Sequence, residues 1–345
     1  MSGSLKTAAA GVASALILTL LLFAWAASPI RGAAHFRADE RPGGGSAELL
    51  AASSSGQSRM TTRETMARAS ALPSPVRFRE SGNRGLLVRT WVNGAGPFTF
   101  AVDTGAGATV ISPHVAGEAR VEVESGGRGI EVGGLSGMSV GGQRAFPRSV
   151  ALGSRDNTLQ ARGLAIVAPG LPSDIDGILD PSEIFYPLGF IIDLPNGEIS
   201  FFDPPSQPLR AADAPSGVAV VPWLTDGRSR RPFVMLAEGR RALLDTGSGF
   251  GLAVDESAAR ALGLLSMDGR QRAGARDIAG GEVSARRVRA ATVSVGPLVL
   301  RGVPTDFLQR AEKGAPVLLG RDALRPFRIT FDPVSRLIMF DPAEN

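Results

Sequence analysis

An all-β chain folded as two similar lobes is what this sequence predicts, on three observations. Its 345 residues include 43 glycines and 24 prolines at a hydrophobic fraction of 43%, a composition that suits turn-rich sheets better than a helical bundle. Its apolar runs are short and are bounded by glycine-containing turns. The order of those runs also repeats: the run 98–102 ends in Asp103-Thr104-Gly105, and the run 242–244 ends in Asp245-Thr246-Gly247, 142 positions later.

The elements follow in order. Residues 1–30 contain an apolar run, 7–27, that is interrupted only by Ser14 and Thr19 and follows Lys6. It reads as an export signal, with Ala24-Trp25-Ala26 as a cleavage site, and it is also long enough to remain as a membrane anchor. Any membrane contact is expected through this segment alone. Residues 31–80 are rich in Ser, Gly, Ala and Arg without a sustained apolar period, which predicts a flexible tether. The sharper alternative is an inhibitory pro-segment whose arginines neutralise acids in a site downstream.

The first half, 84–203, opens with a strand over 86–92, a turn at Asn93-Gly94 and a returning strand over 98–102 that delivers Asp103 onto a tight turn. Strands are expected at 109–112, 149–153, 159–167, 176–180, 190–193 and 199–204. The glycine-rich stretch 126–142 reads as a mobile hairpin around Gly133 and Gly134. Acids at 174–180 fail the spacing of a calcium loop, because Pro172 would take the first ligand position.

Residues 204–216, rich in proline and alanine, are the expected linker. The second half, 217–342, then restates the first. A strand over 232–236, a turn at Glu238-Gly239 and a strand into Asp245 come first, followed by a shorter glycine hairpin around Gly280 and Gly281. Residues 292–296 answer 149–153, and 298–304 answer 159–164, with Arg301-Gly302 matching Arg162-Gly163. The closing element 316–324 answers 177–180, and the final runs answer 192–193 and 199–204. A repeat of this order and spacing marks duplicated half-sites.

Composition also excludes chemistry. The net charge is only +4, Lys6 and Lys313 are the only lysines, and the arginines are interleaved with acids. That is a solvated surface, and no nucleic-acid partner is expected. With no cysteine there is no thiol nucleophile, disulfide or thiolate-held metal. The only histidines, His35 and His114, make no zinc cluster and sit in no nucleophile turn. No metal or cofactor is expected, and the hydrolytic chemistry that remains belongs to carboxylates. Two of them, Asp103 and Asp245, would meet across a pseudo-two-fold axis. Like charges at short range cannot both ionise, so the pair would share one proton. Its ionised member would draw a proton from water while its neutral member polarises an amide carbonyl.

The runs Val92-Asn93-Gly94, Gly96-Pro97-Phe98, Asp103-Thr104-Gly105-Ala106 and Val110-Ile111-Ser112 resemble the retropepsin-like aspartic proteases, as does Leu318-Leu319-Gly320-Arg321-Asp322-Ala323-Leu324. The resemblance extends over about 84–342 and points to a bacterial single-chain, two-lobe form with a pepsin/retropepsin-like fold. Some such proteins are periplasmic, so an exported, periplasmic location is expected, soluble or anchored. It implies that Asp103 and Asp245 are catalytic and that the Thr104 and Thr246 hydroxyls bond across the two loops. Gly105 and Gly247 leave room for the turn, and Ser248 is expected to hydrogen-bond the Asp245 carboxylate. The hairpins at Gly133, Gly134, Gly280 and Gly281 become flap candidates over a protein or peptide substrate bound as an extended strand. The lobes would pair within one monomer. Two departures stand out: Asp180 replaces the glycine of the first closing element, and the lone tyrosine, Tyr186, lies away from both hairpins. The rival expectations are a catalytically inactive peptide-binding module of the cell envelope and a scaffold in which neither Asp matters. Arg321 and Asp322 read as structural residues that start a short helix.

Overall fold

The computed structural model describes residues 23–25, 72–82, 84–125, 129–264, 269–309, 311 and 315–343. Most of the apolar run 7–27, and the tether up to residue 71, lie outside the described residues. So do Glu312 and Lys313. Of the apolar run, Phe23–Trp25 forms a short strand antiparallel to Ile130–Gly133, with Phe23 opposite Gly133. No helix among the described residues is long and apolar enough to cross a membrane.

Among the described residues, three sheets carry the fold. In the first lobe, Gly85–Val92 turns back at Asn93-Gly94 into Ala95–Val102. Both turn residues have positive φ, 48° and 82°, the geometry that matches the twist of a two-residue hairpin. Ala95–Val102 runs parallel to Gly177–Leu179, which is itself antiparallel to Thr109–Ile111. The second lobe repeats the pattern: Arg241–Asp245 runs parallel to Val317–Gly320, which is antiparallel to Leu252–Val254. The central strands are buried along their whole length, as expected for strands covered on both faces.

The third sheet belongs to both halves. Its order is Ala219–Pro222, Leu337–Pro342, Phe327–Asp332, Gly189–Asp193, Glu198–Phe202 and Val76–Arg77. At its middle the closing hairpins meet antiparallel, with Phe190 opposite Phe331 and Ile192 opposite Ile329. The two phenylalanine rings stack at 4.6 Å, and Trp223 sets its edge against Phe331 at 5.9 Å. This aromatic contact is continuous with the main apolar core, which draws residues from both halves.

Three expectations change here. The run 159–167 is two strands, Thr158–Gln160 and Ala165–Val167. Between them the Arg162 and Gly163 amides both donate to the Ile184 carbonyl, at 2.9 and 3.3 Å, so the chain leaves the ladder to cap a helix end. The second glycine hairpin is longer than the first: its arms are Arg270–Arg276 and Glu282–Val295, against Ile130–Gly133 and Ser139–Phe146. Its first arm, Arg-Gln-Arg-Ala-Gly-Ala-Arg, lacks the apolar alternation by which a strand is recognised. Among the described residues, short helices also interrupt the sheets unannounced, two of them six residues long. Pro113–Glu118 is capped by the Ser112 hydroxyl, which accepts from the Val115 amide at 3.2 Å, and Glu256–Ala261 by Asp255, which accepts from Ala258 at 2.7 Å. Ser112-Pro113 and Asp255 are start signals that a reading tuned to strands passes over.

Candidate active site

Each Asp-Thr-Gly sits where a buried strand ends and its parallel neighbour begins a closing turn. The Asp103 amide donates to the Leu179 carbonyl at 2.9 Å, and Asp245 stands opposite Gly320 in the second sheet. The ladders thus point both aspartates inward at the junction of the lobes, where both are fully buried.

A reciprocal set of hydrogen bonds holds the two turns together. The Thr104 amide donates to Thr246 Oγ1 at 3.1 Å, and the Thr246 amide donates to Thr104 Oγ1 at 3.2 Å. In turn, Thr104 Oγ1 donates to the Leu244 carbonyl at 2.7 Å and Thr246 Oγ1 to the Val102 carbonyl at 3.2 Å. All six groups are buried, so every one of these bonds replaces water that cannot enter. The glycines let the loops close: a Cβ on Gly105 would stand 2.8 Å from the Asp245 carboxyl carbon, and one on Gly247 would overlap the Asp103 carboxylate.

One oxygen of each carboxylate is fixed by its own loop. Asp103 Oδ1 accepts from the Gly105 amide at 2.8 Å, and Asp245 Oδ1 from the Ser248 amide at 2.9 Å. The other oxygen of each, Oδ2, is buried and receives no bond from the groups around it, while the two carboxyl groups lie within hydrogen-bonding reach of each other. Ser248 therefore meets Asp245 through its backbone. Its hydroxyl accepts from the Phe250 amide at 3.3 Å instead, so the expected bond to the carboxylate comes from the main chain.

Burial pushes both aspartates up. Asp103 is raised well above the usual carboxyl range, by burial first and by the charge of Asp245 second. Asp245 is raised less, to about 6, because the bond with Asp103, the Ser248 amide and the Arg321 charge offset part of its burial. One proton shared by the pair is the state this environment favours.

The closing elements behind the two loops differ. In the second lobe, Arg321 Nη1 donates to the carbonyls of Thr246 and Gly247 at 2.8 and 2.9 Å, while Nη2 reaches the Gly82 carbonyl at 3.2 Å. Its Nε lies 3.4 Å from Glu80. Arg321 does begin a short helix, Arg321–Leu324, yet its guanidinium also cradles the loop of Asp245. Sequence reasoning missed that function, and its one signal was a cation directly after a buried apolar strand. In the first lobe Asp180 takes the place of Gly320. Its carboxylate accepts from the amides of Gly107 and Ser182 at 2.8 and 2.9 Å and from the Ser182 hydroxyl. It caps the helix Pro181–Ile184 and ties it to the first catalytic turn. Burial, with the nearby Glu183 charge, pushes Asp180 up to about 7.

Of the flap candidates, Gly133 ends a strand, Gly134 precedes the first hairpin's tip, and Gly280 and Gly281 form the second hairpin's tip. The structure brings the two tips into contact with one another. Tyr186 stacks beneath Arg230 at 3.9 Å, and the exposed His114 pairs with Glu118 on its own helix. Among the described residues no group of acids or histidines could hold a metal ion.

A family model described as aspartyl protease matches the chain twice, over residues 88–179 and 238–323. Together the segments cover just over half of it; each contains one Asp-Thr-Gly, the first ending at Leu179, just before Asp180, and the second at Ala323, within the last short helix. No curated protein matches the chain.

Proposed function

Since the chain belongs to the retropepsin-like aspartyl protease family, we propose that it is an endopeptidase in which Asp103 and Asp245 hydrolyse the peptide bonds of a protein substrate. One observation carries the reading: two fully buried carboxyl groups within hydrogen-bonding reach of each other, each with an Oδ2 that receives no hydrogen bond from the groups around it. Asp245, the more acidic member, takes a proton from an attacking water. Asp103 donates its proton toward the scissile carbonyl, so the negative charge that develops on that oxygen is met by a hydrogen bond. The proton gained by Asp245 then passes to the leaving nitrogen as the C–N bond breaks; the carbonyl re-forms, its oxygen leaves the other proton with Asp103, and the pair is restored. Thr104 and Thr246 do no chemistry; they keep the two carboxylates from drifting apart, which in a proximity-driven reaction decides the rate. Substrate lies extended beneath the two hairpins, main chain against strand edges. The apolar run 7–27 supports an exported site of action.

Replacing Asp103 by Asn tests this. Cleavage of an unfolded protein substrate is expected to drop about 10³-fold or more while the far-ultraviolet spectrum stays unchanged, and pepstatin is expected to inhibit the parent protein. If parent and variant bind peptide equally and neither cleaves it, the chain is a peptide-binding module instead.

A further inference from the structure

The two hairpins are joined by a side chain whose chemistry lies outside the dyad. The first tip is closed by the Gly134 amide donating to the Met138 carbonyl at 2.8 Å and by Gly137 donating to the Gly134 carbonyl at 3.1 Å. The second is closed by Asp277 and Gly281, whose amides donate at 2.9 Å to the partner's carbonyl and to Asp277 Oδ1 respectively. The other oxygen of that carboxylate, Oδ2, crosses between the lobes and accepts from the Ser136 amide at 2.8 Å. Asp277 is only 3% exposed, so this charge-assisted bond forms away from water, where it is strongest.

Three further contacts fit the same joint. A Cβ on Gly134 would overlap the Asp277 carboxylate, and a Cβ on Gly281 would overlap the Ser136 hydroxyl. These glycines are therefore small because the opposite tip fills the space. The apolar residue of each tip is also buried on the other side. Leu135, from the first lobe, packs with Phe233, Phe250 and Leu308 of the second. Ile278, from the second, packs with Ala106, Val110 and Ile166 of the first. Each tip is thus seated in its neighbour's core.

We propose that Asp277 is the latch of a two-part lid: its carboxylate holds the two hairpins closed as one unit over the dyad, and substrate enters only when this bond and the two exchanged apolar contacts release together. Asp277 touches no reacting atom, so it is a positioning residue. The catalytic arm of the test rests on the peptidase reading, and the exchange arm does not.

In amide hydrogen exchange, Asp277→Ala is expected to speed exchange at Ser136 and Gly281 by about ten- to a hundred-fold, the scale of losing a hydrogen bond to a charged acceptor, while Thr104 and Thr246 keep their protection. Asp277→Asn, which retains one acceptor oxygen, is expected to fall between. Unchanged exchange at Ser136 in the alanine variant overturns the latch. In the catalytic arm, kcat is expected to fall about tenfold in the alanine variant with the limbs of its pH profile unmoved, and an unaltered kcat overturns the proposal. As the chain has no cysteine, the pair Ser136→Cys, Gly281→Cys can cross-link the tips alone, since a Cβ built on Gly281 lies 2.5 Å from that of Ser136 and a disulfide needs them about 1 Å further apart. Oxidation is expected to abolish cleavage and dithiothreitol to restore it; full activity while cross-linked overturns the requirement for opening. A parent protein that cleaves nothing retires the peptidase reading and leaves the exchange arm to decide the latch.

Discussion

Asp180 carries the clearest consequence at the scale of single residues. A buried carboxylate with no cation against it is costly, and here the cost is met only by two amides and one hydroxyl. Its folded pKa of about 7 stands above the ordinary 3.8, so its stabilising contribution is complete below about pH 4, where the group is neutral folded or unfolded. That contribution is lost as the pH climbs to 7, and the gap corresponds to roughly 4 kcal/mol. Asp180→Asn is expected to reduce the difference in stability between pH 4 and pH 8 by an amount of that order. Urea unfolding at the two pH values measures it, and a difference equal to the parent's would show that Asp180 does not titrate in this range. The dyad is raised in the same direction, so part of the alkaline loss survives the substitution.

Among elements, the two closing turns show how a duplicated unit diverges while its product stays symmetric. The second lobe keeps glycine at position 320, because a Cβ there would overlap the Phe250 carbonyl, and it sets a cation behind Asp245. The first lobe sets an acid behind Asp103. Arg321 biases the shared proton away from Asp245, and Asp180 adds to that bias only once it ionises, near pH 7. Arg321→Met removes the positive side of that bias, so Asp245 is expected to titrate higher and the acidic limb of the rate profile to move up in pH. Arg321→Lys retains the charge but loses the forked contact with two carbonyls, so its limb should stay close to the parent's while its stability falls. A limb that does not move in the methionine variant would mean that Arg321 acts on the loop through geometry alone.

For the molecule as a whole, the shared six-stranded sheet matters most. Because the closing hairpins pair with each other, and Phe190, Trp223 and Phe331 pack across the seam, neither half completes its core alone. Both halves are therefore expected to melt in one cooperative step. Phe331→Ala, which empties a fully buried site, is expected to cost about 3–5 kcal/mol and to shift that single step without splitting it. Two separated transitions in calorimetry would show that the lobes are independent.

Local pattern determined much of this. The strand-turn units, the duplicated Asp-Thr-Gly and the order of the repeat follow from short-range rules: turn residues have few conformations, and strands announce themselves by apolar runs and alternation. Those rules located both aspartates, the paired threonines and both glycine hairpins. They passed over the arm Arg270–Arg276, whose support comes from the strand beside it rather than from its own sequence, and two helices whose local cap residues, Ser112 and Asp255, a reading tuned to strands does not weigh. Tertiary structure alone decided what crosses between distant segments. Examples are the bond from Ser136 to Asp277, the seat of Arg321 against Gly82 and Gly247, the turning of the Ser248 hydroxyl to Phe250, and the exchange of Leu135 and Ile278. Each joins residues whose separation in the chain bears no relation to their distance in space, and burial, which sets the strength of every one of these contacts, is a property of the assembled fold.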